Sequence, residues 1–297
     1  MSVLKINKLT KKFGKLTAVD QLDLTIKEGQ VYGILGPNGS GKTTTLGMIL
    51  EVVAPTSGSF EWFDGMKNVD ARQKIGSILE TPCFYSYLTA EQNLRIIAHI
   101  KKCSYDRIDP ILKQVNLYER KTDKFKTYSL GMKQRLSLAA ALLSDPPVLM
   151  LDEPTNGLDP EGIAEVRQLI RDIASKGKTI IMASHLLDEV QKVCTDFCIL
   201  RKGVKLHEGS VNDILGETNV VEISSGNMDE LMKAVQQYNG LEKIEQSNGS
   251  LKAYLKDGQS ADHLNQFCFD QGIALKKLIP ESKSLEQEFL KILKEND

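Results

Sequence analysis

Long apolar runs are what this chain most plainly lacks. No stretch approaches the roughly 18 consecutive apolar residues that a membrane-spanning helix needs, so a role at a membrane is expected to pass through a partner. The opening residues, Met1-Ser2-Val3-Leu4-Lys5, carry no apolar core, and no secretory leader is expected. An excess of either charge is missing too. Lys and Arg number 38 against 39 Asp and Glu, a formal net charge of -1, and no Lys/Arg block stands out. Direct nucleic-acid binding rests on clustered positive charge and is not expected here. Cysteine is sparse and unpatterned. Cys83, Cys103, Cys194, Cys198 and Cys268 are odd in number and irregularly spaced. Cys194 and Cys198 are expected on one helix face, but no second pair completes a metal-ligand set. Reduced, mostly buried thiols are the expectation.

What is present suits a core and an appendage. The chain has 297 residues, 41% of them hydrophobic, enough for two domains or for one large domain with an addition. Short strands are expected at residues 3–9, 22–26, 30–35, 59–63 and 74–79. From Thr89 the pattern turns helical. Thr89 and Gln92 have capping-box spacing, with Leu94, Ile97 and Ile100 behind them. Residues up to about 145 read as mostly helix. Strands at 148–151, 179–183 and 197–200 then alternate with helices at 160–174 and 186–194. That alternation predicts a parallel sheet with helices on its faces. After residue 216 the order becomes strand, helix, strand, strand, helix, strand, helix. Asn227 and Glu230 read as a helix start, Asn248-Gly249 as a hairpin turn, and Ser284 with Gln287 as the start of a last helix. The expected division is 1–215, with a helical subdomain at about 82–145, and an accessory α+β domain at 216–297 that holds no catalytic cluster.

One segment carries sharp chemistry. Gly36-Pro37-Asn38-Gly39-Ser40-Gly41-Lys42-Thr43-Thr44 matches Gly-x4-Gly-Lys-Ser/Thr between an apolar strand and a helix, the context that pattern requires. Its glycines let backbone N–H groups turn inward around phosphates, and the helix N-terminus adds its positive end. Gly36, Asn38, Gly39, Ser40, Gly41 and Thr44 are therefore candidate phosphate contacts. Lys42 is expected to reach the β- and γ-phosphates, and Thr43 to offer its hydroxyl to Mg2+. A second apolar strand, Val148-Leu149-Met150-Leu151, ends in Asp152-Glu153. Asp152 is expected to hold Mg2+ and Glu153 to polarise an attacking water. His185 lies just past a third apolar strand, on the usual ligand side of an open sheet, within reach of the γ-phosphate or that water. His99, His207 and His263 have no such context.

Together with Tyr128-Ser129-Leu130-Gly131-Met132-Lys133-Gln134-Arg135, these segments resemble the nucleotide-binding subunits of ABC transporters over about residues 3–208. That last segment is similar to the family's Leu-Ser-Gly-Gly-Gln signature, which other phosphate-loop ATPases lack. The resemblance implies a P-loop α/β fold of ABC-ATPase type with an antiparallel β and a helical subdomain. It implies ATP and Mg2+ as ligands, and a head-to-tail dimer in which Ser129 and Gly131 meet ATP bound to the facing protomer. Asp159, in Gly157-Leu158-Asp159, resembles the loop linking the two sites, and Phe13 stands where the family stacks an aromatic on adenine. Two departures are visible. Leu130 and Met132 replace a Gly and a Gln, and Glu80 stands where the family has a Gln, as a candidate for catalysis or for the metal. Glu can accept a water or reach Mg2+, but it cannot donate as an amide does. Both departures, the latter within Glu80-Thr81-Pro82, resemble the exporters of bacitracin, lantibiotics and other peptide antibiotics.

The function so implied is ATP-driven export. Partners are a second ATP-binding subunit, as a homodimer or with a related chain, and a polytopic transmembrane permease, with this chain peripheral on the cytoplasmic side of the membrane. Phe84, Tyr85 and Tyr87 are candidates for touching the permease. A soluble ABC-type ATPase acting on ribosomes or nucleic acid is the alternative, but it lacks here the fused second nucleotide domain or inserted coiled coil. A regulatory ATP-binding module is a third reading, opposed by the intact Asp152, Glu153 and His185.

Overall fold

The structure is a computed structural model that describes residues 1–66, 68–79, 83–214, 217–247, 249–282 and 285–295. The chain divides into two compact units, Met1–Val211 with Lys291–Asp297, and Asn212–Leu290. The first runs β1 (Ser2–Phe13), β2 (Leu16–Lys27), β3 (Val31–Leu35), α1 (Lys42–Ile49), β4 (Ser57–Trp62), α2 (Asn68–Gln73), β5 (Ile75–Ile78) and α3 (Ala90–Lys101). It continues through α4 (Ile108–Gln114), α5 (Leu130–Leu142), β6 (Val148–Asp152), α6 (Pro160–Ala174), β7 (Thr179–Ser184), α7 (Leu187–Val193), β8 (Asp196–Arg201) and β9 (Val204–Ser210).

The central sheet has six strands in the order β5-β6-β7-β3-β8-β9. All pair in parallel except β8 with β9. β3, β6 and β7 are buried at every residue, which explains their unbroken apolar sequences. Register sets Leu35 beside Ser184 and Asp152 beside Ala183, so three strands end together on one edge. A separate antiparallel sheet, β2-β1-β4, packs over α1. Its anchor is Trp62, 1% exposed, whose indole N–H donates to the Ile49 carbonyl at 2.9 Å.

β1 and β2 are longer than their alternation suggests, because register shifts near Ile6 and Leu9 break the period without ending the pairing. α2 and β9 were not expected from the sequence. α3 opens as predicted, with the Thr89 hydroxyl accepting from Gln92 N–H and the Gln92 amide oxygen accepting from Thr89 N–H. The cysteine reading needs one correction. Cys194 caps the end of α7 while Cys198 lies within β8, so they share no helix. Both are buried, as is Cys268, and burial pushes the Cys198 thiol up to about 12.

The second unit holds β10 (Glu217–Ser225), α9 (Met228–Val235), β11 (Leu241–Ser247), β12 (Ser250–Leu255), α10 (Ala261–Asp270) and β13 (Leu275–Ser282), after a short α8 (Val211–Ile214) and before α11 (Leu285–Glu295). The sheet order β11-β12-β10-β13 with this connectivity is the split βαβ arrangement of ferredoxin-like domains. Leu231 and Val235 of α9 and Leu264 of α10 pack on Val221, Ile223 and Leu251. Asn227 caps α9 through Glu230 N–H. Asn248 and Ser284 lie outside the described residues.

Candidate functional site

The phosphate loop joins β3 to α1. Gly41 adopts φ 107°, and a Cβ there would lie 2.5 Å from the Ala18 carbonyl oxygen, so only glycine fits. A Cβ on Gly36 would meet the Leu200 carbonyl at 2.3 Å. Lys42, 5% exposed, folds back over the loop. Its ammonium donates to the carbonyls of Gly36 at 2.8 Å and Pro37 at 3.2 Å, and lies 3.3 Å from Glu153 Oε1. The Ser40 hydroxyl is buried and has no hydrogen-bond partner among the described residues. Such an orphaned polar atom beneath a loop of this shape fits a phosphate-bearing ligand.

Asp152 ends β6 at 2% exposure, and Glu153 follows at φ 47°. That left-handed backbone is uncommon for Glu. It is held by Glu153 N–H donating to the Ala183 carbonyl at 3.0 Å. The turn aims the carboxylate back toward β7. Oε2 accepts from His185 N–H at 3.3 Å and lies 2.8 Å from His185 Nδ1. One carboxylate thus bridges Lys42 and His185, contributed by three distant segments.

Phe13, Asn38, Gly39, Gly41, Lys42, Thr43, Thr44 and Glu153 line one cavity of about 540 Å3. Phe13 is half exposed at its mouth, with the Lys11 ammonium 4.9 Å above the ring. Ser129, Gly131 and Asp159 line a different cavity of about 500 Å3. Ser129 caps α5 by accepting from Met132 N–H at 3.2 Å, and Asp159 caps α6 by accepting from Gly162 N–H at 3.1 Å. Leu130 stands half exposed in this second cavity. The two cavities share no lining residue. Glu80 lies outside the described residues.

Residues 19–156 match the family model described as "ABC transporter". The bacitracin transport ATP-binding protein BcrA of Bacillus licheniformis is 38% identical to this chain, across 98% of it and 97% of its own length. The chain belongs to the ABC transporter ATP-binding protein family. The lantibiotic transport ATP-binding protein SrtF of Streptococcus pyogenes is 40% identical over 71% of this chain and 93% of its own. A solved dimer of the ATP-binding cassette MJ0796, in a post-hydrolysis state with ADP and Pi, superposes with a TM-score of 0.63 at 27% identity, covering 70% of this chain and 98% of that one. This ABC subunit is accordingly an ATPase that binds ATP and ADP and serves transport. Proteins of the family work with transmembrane permeases and dimerise.

Four lining residues escaped the sequence reading. Lys202, in the turn between β8 and β9, and Leu16, Thr17 and Ala18, on β2, all border the phosphate-loop cavity. None lies in a motif. The Gly203 turn approaches within 2.9 Å of the Ala18 carbonyl in Cβ terms, and only that tertiary fit brings them to the loop. Arg135, quoted in the signature, lines the second cavity, its Nε 3.5 Å from Glu165.

Proposed function

We propose that two copies of this chain, or one copy with a related chain, close head to tail around two ATP molecules and so drive a separate permease to export a peptide antibiotic. The observation that carries the closed pair is the separation of the two cavities, one built on the phosphate loop and one on Ser129 and Gly131. Gly131 adds support. A Cβ there would meet nothing within 4 Å, so the chain's own packing does not demand a glycine at that position. A ligand or a second chain approaching α5 does. The named transport substrates of BcrA and SrtF support the substrate class.

The donors fit Mg2+. Thr43 and Asp152 offer hard oxygen ligands, and no cluster of three or more His, Cys, Asp or Glu capable of holding a metal occurs among the described residues. Mg2+ takes one or two carboxylates and completes its shell with phosphates and water. When bound, it neutralises charge on the phosphate oxygens. Glu80 is proposed as a further ligand or as a water contact.

The roles of the protein groups follow from their present partners. Lys42 exchanges the Gly36 and Pro37 carbonyls for β- and γ-phosphate oxygens as ATP enters. That exchange draws its ammonium from Glu153 and leaves the carboxylate to a water. His185 keeps the Glu153 side chain aimed, and its ring also steadies the γ-phosphate. Ser129 and Gly131 of the facing subunit hold that phosphate from the other side, at the N-terminus of α5. Phe13 stacks on adenine, and Asp159 links the two sites. Moving a two-state equilibrium from 1:99 to 99:1 takes about 5.5 kcal/mol of differential binding, and two γ-phosphates divide that demand.

The permease contact is proposed at a groove of about 430 Å3 lined by Phe84, Tyr85, Ile96, Ile97 and Ile100. Buried Asn93 fixes this loop, accepting from Tyr85 N–H at 2.9 Å and donating to the Tyr85 carbonyl at 3.1 Å. Phe84 packs on Phe125 at 5.0 Å, while Tyr85 and Tyr87 stand 53% and 64% exposed. Phe84 therefore shapes the groove floor and Tyr85 its rim, with the Tyr87 ring 5.9 Å from that of Tyr85. No helix among the described residues is long and apolar enough to cross a membrane, and the proposed place is peripheral, on the cytoplasmic side. The test is co-purification with a polytopic membrane protein, sought first among the products of the neighbouring genes. The expected result is a stable complex whose ATPase rate exceeds that of the isolated chain; absence of any complex contradicts the reading.

A further inference from the structure

A cationic cavity adjoins the apolar groove. α3 ends in Ile100 and Lys101, and the chain turns at Lys102 with φ 52°. These residues, with Val69 and Arg72 of α2 and Ser144, border a space of about 540 Å3. Ile100 lines both this space and the groove of Phe84 and Tyr85, so the two adjoin at that side chain. No carboxylate lines the cavity among the described residues. Glu51 pairs with Arg72 at the cavity wall, and Asp145 holds Lys178 at 2.7 Å and Arg107 at 3.8 Å.

Three of the polar side chains lining this space make no ion pair or hydrogen bond among the described residues. Neither Lys101 nor Lys102 has an ion pair among the described residues. Burial lowers the Lys101 amine from its ordinary value, opposed only by Cys103. The Ser144 hydroxyl is buried and makes no hydrogen bond among the described residues. A buried donor without an acceptor is costly, so an incoming acceptor is favoured. The apolar rim is open as well, with Val69 62% and Ile100 72% exposed.

We propose that this cavity receives an acidic side chain from the permease's cytoplasmic docking segment, whose apolar face fills the adjoining groove. The inference rests on the pairing with a permease proposed above. Charge complementarity argues for an acid, and adjacency to the apolar groove argues for a protein segment. An anionic lipid surface is met by exposed clusters of about 4–8 basic residues, whereas here two lysines flank a recess with a buried hydroxyl. A carboxylate entering it gains two ammonium partners and a hydroxyl donor.

The test uses the full chain and the membrane subunit identified by that co-purification, held in nanodiscs of phosphatidylcholine alone. Lys101→Gln with Lys102→Gln is expected to weaken binding about tenfold or more, and Lys101→Glu with Lys102→Glu to weaken it further. Melting temperature, ATP affinity and the ATPase rate of the isolated chain are expected to stay at wild-type values. One Asp→Lys or Glu→Lys change in the cytoplasmic segments of the membrane subunit is expected to restore binding of the double-Glu variant. Wild-type affinity for both variants overturns the inference while leaving the permease pairing intact. Loss confined to vesicles containing anionic phosphatidylglycerol, with normal binding in the nanodiscs, overturns it in favour of a lipid surface. Failure of the wild-type chain to bind the membrane subunit overturns both.

Discussion

At the scale of single residues, the account turns on Glu153. Its φ of 47° and its contacts with Lys42 at 3.3 Å and His185 at 2.8 Å place one carboxylate at the junction of loop, strand end and histidine. Glu153→Gln keeps the size and the hydrogen-bonding reach but loses the base. Its steady-state ATPase rate is expected to fall by at least about 100-fold, with ATP affinity retained in an equilibrium binding assay. A hydrolysis rate equal to wild type would remove Glu153 from its role. Gly41 makes the converse point about space. A Cβ there meets the Ala18 carbonyl at 2.5 Å, on a backbone with φ 107°. Gly41→Ala is expected to cost more than about 1 kcal/mol of stability and to weaken ATP binding, both read by thermal unfolding with and without nucleotide. Equal nucleotide-induced stabilisation in the two proteins would contradict the close fit.

At the scale of elements, one helix start is proposed to do double duty. Ser129 is both the cap of α5 and a proposed phosphate contact for the facing chain. The two functions separate by substitution. Ser129→Ala removes the cap, at about 1 kcal/mol, and lowers the melting temperature by about 2–4 °C. Ser129→Asp keeps a capping oxygen and the melting temperature, but turns a carboxylate toward the phosphates, and its ATPase activity is expected to be lost. Activity surviving in Ser129→Asp would leave Ser129 a cap alone. The elements also show what a sequence exposes and hides. β3, β6 and β7 were legible because a strand covered on both faces must be apolar throughout, and their motif-bearing ends came with them. β9 was hidden because Val-Lys-Leu-His-Glu-Gly-Ser is an edge strand, with no buried residue to mark it. α2 was hidden because six mostly polar residues bury only Ala71. In the site, each motif was visible alone. The bridge from Lys42 through Glu153 to His185 was not, since it depends on β3, β6 and β7 ending at one level of the sheet.

At the scale of the whole molecule, the first unit carries two separate cavities, which the proposal reads as two half-sites. Within the ferredoxin-like second unit, one sheet face is laced by polar pairs, where Glu222 meets Lys277 at 2.6 Å and Glu245 accepts from the Tyr254 hydroxyl at 2.9 Å. That unit contributes no cluster of candidate metal ligands among the described residues. The central claim is therefore that ATP is completed by a second chain. Gly131 is the place to test it, because a side chain there meets nothing within 4 Å in its own chain. The decisive measurement is the molar mass, with saturating Mg2+ and ATP, of Glu153→Gln protein with and without Gly131→Asp. The account predicts a dimer for Glu153→Gln and a monomer for the double variant, with unchanged melting temperature in the absence of nucleotide. A double variant that dimerises as fully as Glu153→Gln would contradict it.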